Sequence, residues 1–181
     1  MEDHQSLFIT QLKDKATRET AFRKLMADYK ERLYWHIRNI VKSHDDADDV
    51  LQNTFIKIYR YIDKFKGDSK LYTWMYRIAT NEALTFLSKQ AKRKSITDEE
   101  LQTSLIENLE SDVYFEGDEI AKKLQEVIAT LPEKQRLVFN MRYFQELKYS
   151  DISEITETSE GSLKASYHLA SKKIEEYLKT N

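Results

Sequence analysis

The sequence predicts an all-α protein made of two small helical domains joined by an acidic linker. Three observations carry this. The 181 residues include only 3 Gly and 1 Pro, too few for a fold built from many tight turns, which need Gly for positive φ and Gly or Pro at strand ends. Apolar residues recur at steps of three and four along most of the chain, the spacing of one helix face. Charge divides the chain in three: residues 1–94 hold 19 Lys+Arg against 13 Asp+Glu, residues 95–117 hold 0 against 7, and residues 118–181 hold 10 against 11. The apolar pattern changes where the sign does, so 1–94 and 118–181 are read as domains and 95–117 as linker.

Each element follows in order. From Thr17 to about Val41 the stripe Phe22, Leu25, Met26, Tyr29, Leu33, Ile37, Ile40 predicts one long amphipathic helix. After the polar break Lys42–Asp45, a second stripe runs through Val50, Leu51, Phe55, Ile58, Tyr59 and Ile62; its acidic start suits the positive end of a helix dipole. Asp63–Lys70 reads as a loop, and Leu71, Trp74, Met75, Ile78, Ala79, Ala83 and Phe86 as a third helix with a basic end. Residues 95–117 lack any basic residue and are weakly periodic, giving a linker with no more than a short helical piece. Ile120 to Leu131 starts a new stripe. Thr130 and Glu133 match a capping box around Pro132, ahead of a helix burying Leu137, Val138 and Met141. A short helix, Ser150–Ile155, a polar turn, Thr156–Thr158, and a last helix from Ser159 to about Leu178 complete the chain.

Composition also excludes. The chain has no cysteine, hence no disulfide, thiolate zinc site or thiol nucleophile, which fits a reducing compartment. Met1-Glu2-Asp3-His4 is not the start of a secretory signal, and no run approaches the roughly 18 apolar residues of a membrane span, so a cytoplasmic protein without membrane insertion is expected. Asp45, Asp46, Asp48 and Asp49 lack the Gly and spaced Glu of an EF-hand loop, and His4, His36, His44 and His168 fall in no ligand or catalytic spacing. No enzyme, metal or cofactor is expected.

The last two helices have helix-turn-helix form, in which the second helix enters the DNA major groove. At about 100° per residue, Leu163, Tyr167, Ala170 and Ile174 share one side of the last helix, and Gly161, Ala165, His168 and Lys172 the other. Ser159 is the expected N-cap; Ser162, Lys164, Ala165 and His168 are candidate groove contacts, with Lys172 and Lys173 near the backbone. A solvated face of a plain helical hairpin fits this spacing equally well. Glu160 and the few basic residues predict weak binding by this domain alone, because non-specific affinity comes from neutralised phosphates. In the first domain, Phe65–Asn81 mixes cations and aromatics in a loop that runs into a helix, the chemistry of single-strand binding, although composition alone favours Trp74 and the tyrosines as core.

Phe65–Asn81 closely resembles conserved region 2 of the extracytoplasmic-function sigma factors, with its F-x-G-D-S-x-x-x-T-W-L-x-R-I-A-x-N pattern. Asp46–Phe55 is similar to that family's A-E-D-x-x-Q-E/D-x-F helix. Leu131–Phe139, Tyr149–Ile152 and Ser159–Lys173 are similar to region 4. The resemblance implies a subunit that directs RNA polymerase to promoters. Asp48, Asp49, Gln52 and Asn53 would dock on the clamp helices of bacterial core polymerase. Lys64, Lys66, Asp68, Ser69, Lys70, Tyr72, Trp74, Arg77 and Asn81 would open the −10 element and capture an extruded base of its single strand. The last helix would read the −35 element as duplex, and an anti-sigma factor would control the protein. Asn53 stands where the family has an acidic residue, and Ser166 and Leu169 where it has arginines. A stand-alone helix-turn-helix regulator is the alternative, although such proteins dimerise on palindromes and no dimerisation segment is evident.

Overall fold

A computed structural model describes residues 2–110 and 119–180, all-α among those residues, in the order α1 (Glu2–Lys13), α2 (Arg18–Val41), α3 (His44–Tyr61), α4 (Leu71–Lys94), α5 (Asp98–Glu110), α6 (Glu119–Ala129), α7 (Glu133–Phe139), α8 (Tyr149–Thr156) and α9 (Glu160–Thr180). A 3-10 turn, Ile62–Lys64, closes α3, and a π-helical turn, Asn140–Phe144, extends α7. Residues 111–117 of the expected linker lie outside the described residues.

The helices α2, α3 and α4 pack on one another through Leu25, Leu33, Ile37, Ile58, Met75 and Ala79, all with no exposed surface. These positions belong to the stripes that predicted the helices. Ser43 caps α3, accepting from the Asp46 N–H, and Asp45 and Asp46 sit in its first turn where the dipole favours them.

Three elements depart from expectation. No stripe predicts the helix α1, yet Leu12 is fully buried and Phe8 and Ile9 pack on the core. The linker holds a 13-residue helix, α5, because Leu101, Leu105 and Leu109 recur every fourth residue and the last two are buried. It starts with a reciprocal capping box: the Glu100 N–H bonds Thr97 Oγ1 at 3.2 Å and Glu100 Oε2 accepts the Thr97 N–H at 2.6 Å, holding the Glu100 carboxyl below its ordinary pKa. The box expected at Thr130–Glu133 does not form. Thr130 Oγ1 bonds back to the Val127 carbonyl at 2.7 Å, and Pro132 rather than Thr130 precedes α7.

The largest apolar cluster does not stop at the first domain. It continues through Leu137, Val138, Met141, Leu147, Ile152, Ile155 and Leu163, and α8 lies along α4. A smaller cluster, Val127, Ile128, Leu131, Phe139, Ala170 and Ile174, holds α6, α7 and α9 together.

Buried polar ties cross the same boundary. Lys42, left-handed at the C-cap of α2 and 1% exposed, donates to Gln125 Oε1 at 2.7 Å, and Asn140 Nδ2 donates to the Asn39 carbonyl at 3.2 Å. Burial, with Arg136 and Arg38 near, pushes the Lys42 ammonium well below its ordinary pKa. His36 is 1% exposed. Thr80 Oγ1 gives its one proton to the Tyr76 carbonyl, so it accepts from His36 Nε2–H at 2.8 Å; Nδ1 is left to accept from the Gln145 amide at 2.8 Å. The imidazole is therefore held neutral.

Burial lowers the His36 pKa from 6.5 to about 4. Between these values the unfolded chain binds a proton that the folded chain refuses. The contribution is complete above about pH 6.5 and is lost progressively as pH falls to about 4, a loss of about 3 kcal/mol at 1.36 kcal/mol per unit. Scanning calorimetry is expected to show a steeper fall of melting temperature over this range for the unsubstituted protein than for His36→Gln. Parallel profiles would contradict it.

Candidate nucleic-acid interface

The candidate −10 surface is a loop held between two buried anchors. Phe65 is 3% exposed; its N–H bonds the Ile62 carbonyl and its ring lies 5.2 Å from that of Trp74. Leu71, 2% exposed, opens α4. Between them Lys66, Gly67, Asp68 and Lys70 are exposed and Ser69 is half-buried. Gly67 adopts φ 84°, a conformation side chains resist, while a Cβ there would meet no neighbour; its requirement is backbone conformation.

Trp74, Arg77 and Asn81 follow at steps of three and four, placing them on one side of α4 with Lys70 at its start. Lys64, Lys66, Asp68, Ser69, Trp74 and Arg77 line a single cavity of about 490 Å³. Tyr72 lies apart from this set, edge-on to Tyr76 and hydrogen-bonded to Asp151.

The other wall of that cavity is α8, through Ser153, Glu154 and Glu157. Lys70 Nζ donates to Asp151 Oδ1 at 3.0 Å, and Arg77 pairs with Glu157. The Asp151 side chain is only 6% exposed. Burial alone would raise its pKa, but hydrogen bonds from Tyr72 and Lys70 outweigh this and hold it below the ordinary value. Two cations expected to meet DNA phosphates thus meet carboxylates of the second domain.

The expected −35 residues are all exposed, Ser159 just before α9 and Ser162, Lys164, Ala165, His168, Lys172 and Lys173 on it, and Leu163, Ala170 and Ile174 are buried behind them. Ser159 caps loosely, its Oγ 3.4 Å from the Ser162 N–H. Lys164 pairs with Glu160 at 3.5 Å and Lys172 with Glu176 at 3.9 Å, so both are partly neutralised by their own helix. Ser162 also lines a cleft shared with Arg77 and Asn81, which puts residues of the two expected sets side by side.

Asp48, Asp49, Gln52 and Asn53 are exposed together on α3. Beside them lie Ile56 and Tyr59, 48% and 43% exposed, in an apolar groove with Phe22 and Met26. Tyr59, which the sequence places in the apolar stripe of α3, is thus exposed, and Ile56 lies outside that stripe. The sequence does not single out Lys13, Arg18 and Asp63, which hold the start of the −10 loop, or Asp151 and Glu157, which cover it. Their partners lie tens of residues away, and no local pattern reports such pairs.

No described helix is long and apolar enough to cross a membrane, and no described cluster of His, Asp and Glu has metal-site form. Residues 25–93 match sigma-70 region 2, and residues 121–174 match sigma-70 region 4. The chain is 31% identical over 165 residues to the ECF RNA polymerase sigma-E factor of Haemophilus influenzae, covering 86% of each. Two solved structures share the fold. CnrH in complex with the cytosolic domain of CnrY superposes with a TM-score of 0.71 at 17% identity, over 98% of both chains. The sigma factor RpoE from Bartonella quintana, in complex with the anti-sigma factor NepR, gives 0.68 at 19% identity, over 88% of this chain and 98% of that one. An exposed helix-turn-helix face, two matched regions in order and a relative covered over most of its length lead to one conclusion: the chain belongs to the sigma-70 family, in its extracytoplasmic-function branch, and is a sigma factor that directs transcription from promoters.

Proposed function

We propose that this sigma factor binds core RNA polymerase through Asp48, Asp49, Gln52 and Asn53 of α3, melts the −10 element with the Lys64–Lys70 loop and α4, and reads the −35 duplex with α9. The observation that carries the reading is the shared placement of Lys64, Lys66, Trp74 and Arg77 around one cavity. Cations track a single-stranded backbone while an aromatic face stacks a base. The protein acts in the cytoplasm as a non-catalytic subunit. An anti-sigma factor holds it inactive, as the Bartonella quintana relative's complex suggests.

In the arrangement described, α8 covers α4. Elements centred about 25 base pairs apart are roughly 85 Å apart along B-form DNA at 3.4 Å per step. The 21-residue α9 is only about 32 Å long. Reading both elements therefore requires α8 and α9 to leave α4.

Gel shifts and run-off transcription with and without core polymerase test the proposal. Duplex promoter is expected to shift only when core is present, because residues 118–181 hold 10 Lys+Arg against 11 Asp+Glu and so neutralise few phosphates. Tight binding of a palindrome by the protein alone would favour a stand-alone regulator instead.

A further inference from the structure

We infer that Lys13 and Arg18, at the corner joining α1 to α2, are positioning residues that brace the −10 loop for strand opening. The inference deepens the promoter-melting reading and rests on it. Lys13 Nζ donates to the Phe65 carbonyl, reaching 52 residues along the chain to the anchor from which the loop departs. Arg18 Nε bonds the Leu12 carbonyl at 3.0 Å, its guanidinium bonds the Lys13 carbonyl at 2.8 Å, and the same guanidinium pairs with Asp63 in the 3-10 turn. One cation thus satisfies two open carbonyls at the end of α1 and ties that end to the turn, while the other ties it to the residue after the turn.

The corner is itself anchored. Leu12 is fully buried between these groups, and the Arg18 side chain is only 17% exposed. Phe65 is consequently held from both sides, by the Trp74 ring on one and by Lys13 at its carbonyl. The loop beyond it has an exposed Gly67 at positive φ. A loop free to wander would spend binding energy on being ordered at the moment of base extrusion; a loop whose origin is fixed spends less. Both bracing residues precede residues 25–93, the segment matched to sigma-70 region 2.

The test compares the unsubstituted protein, Lys13→Met and Lys13→Arg, each with core polymerase. Unpaired thymines are detected by permanganate on a duplex promoter and on one with a pre-melted −10 bubble. Lys13→Met is expected to open the duplex about five- to tenfold more slowly, to match the unsubstituted protein on the bubble, and to bind core equally well. Lys13→Arg, which can still donate to the carbonyl, is expected to restore the rate. An equal defect on both templates, or unaltered opening of the duplex, would overturn the brace. Failure of the unsubstituted protein to expose thymines on any promoter would instead overturn the melting reading beneath it.

Discussion

Joint replacement of Trp74 and Arg77 by alanine is expected to reduce open-complex formation by about 100-fold or more, while core polymerase still binds. Stacking on one aromatic is worth about 1–3 kcal/mol per base, and a charged hydrogen bond to phosphate about 1.5–3 kcal/mol. Removing Arg77 also removes its pair with Glu157, which releases α8 and acts in the opposite direction. That pair is exposed, 44% and 68% at the two side chains, and such pairs contribute about 0–1 kcal/mol. Loss of DNA contact therefore outweighs release of the cover. Trp74→Phe keeps a ring against Phe65 and is expected to retain most activity, which separates stacking from simple loss of packing. Permanganate footprinting on a duplex promoter reads the result. Normal opening by the double variant would remove Trp74 and Arg77 from the site.

Locking α8 onto α4 is expected to abolish promoter-directed transcription. Lys66 and Glu154 are both exposed and face one cavity from the two domains, and neither takes part in the Lys70–Asp151 or Arg77–Glu157 pairs. The chain has no cysteine, so Lys66→Cys with Glu154→Cys gives a unique pair for a reducible bis-maleimide. The linked protein is expected to lose transcription by about 50-fold or more, and cleaving the linker to return it to the level of the unlinked double variant. The expectation follows from charge and coverage: Glu154 and Glu157 on the facing wall of the cavity repel a phosphate backbone until that wall moves. Undiminished transcription by the linked protein would show that the two domains act while packed together.

The closed arrangement rests more on apolar packing and buried polar ties than on its ion pairs. Ile152 and Ile155 are buried in the same cluster as Met75 and Ala79, and the buried His36 and Lys42 reach Gln145 and Gln125. Opening would expose that surface and rehydrate those groups. Core polymerase must supply compensating contacts, and the exposed Ile56 and Tyr59 beside Gln52 offer apolar area for them.

Periodicity by itself determined the long helices and most of the faces they bury, because a 3.6-residue repeat of apolar groups gathers them on one side; Tyr59 and Ile120, both in the stripes, are 43% and 77% exposed. The stripe on α9 placed Leu163, Ala170 and Ile174 inside and Ala165, His168 and Lys172 outside, as observed. The run from Phe65 to Asn81 likewise located the loop and the helix that bear the candidate −10 residues. Short helices carry a weaker signal: α1 and α5 span only 12 and 13 residues, and Thr97–Glu100 forms a capping box while Thr130–Glu133, with the same residue types and spacing, does not. Only the tertiary structure decided that α8 lies against α4, that Asp151 and Glu157 neutralise Lys70 and Arg77, and that Lys13 reaches Phe65. Those pairings join residues 52 to 81 positions apart. A helix face exposes the same pattern whether it meets water, DNA or another domain, so what covers it is set by the path of the whole chain.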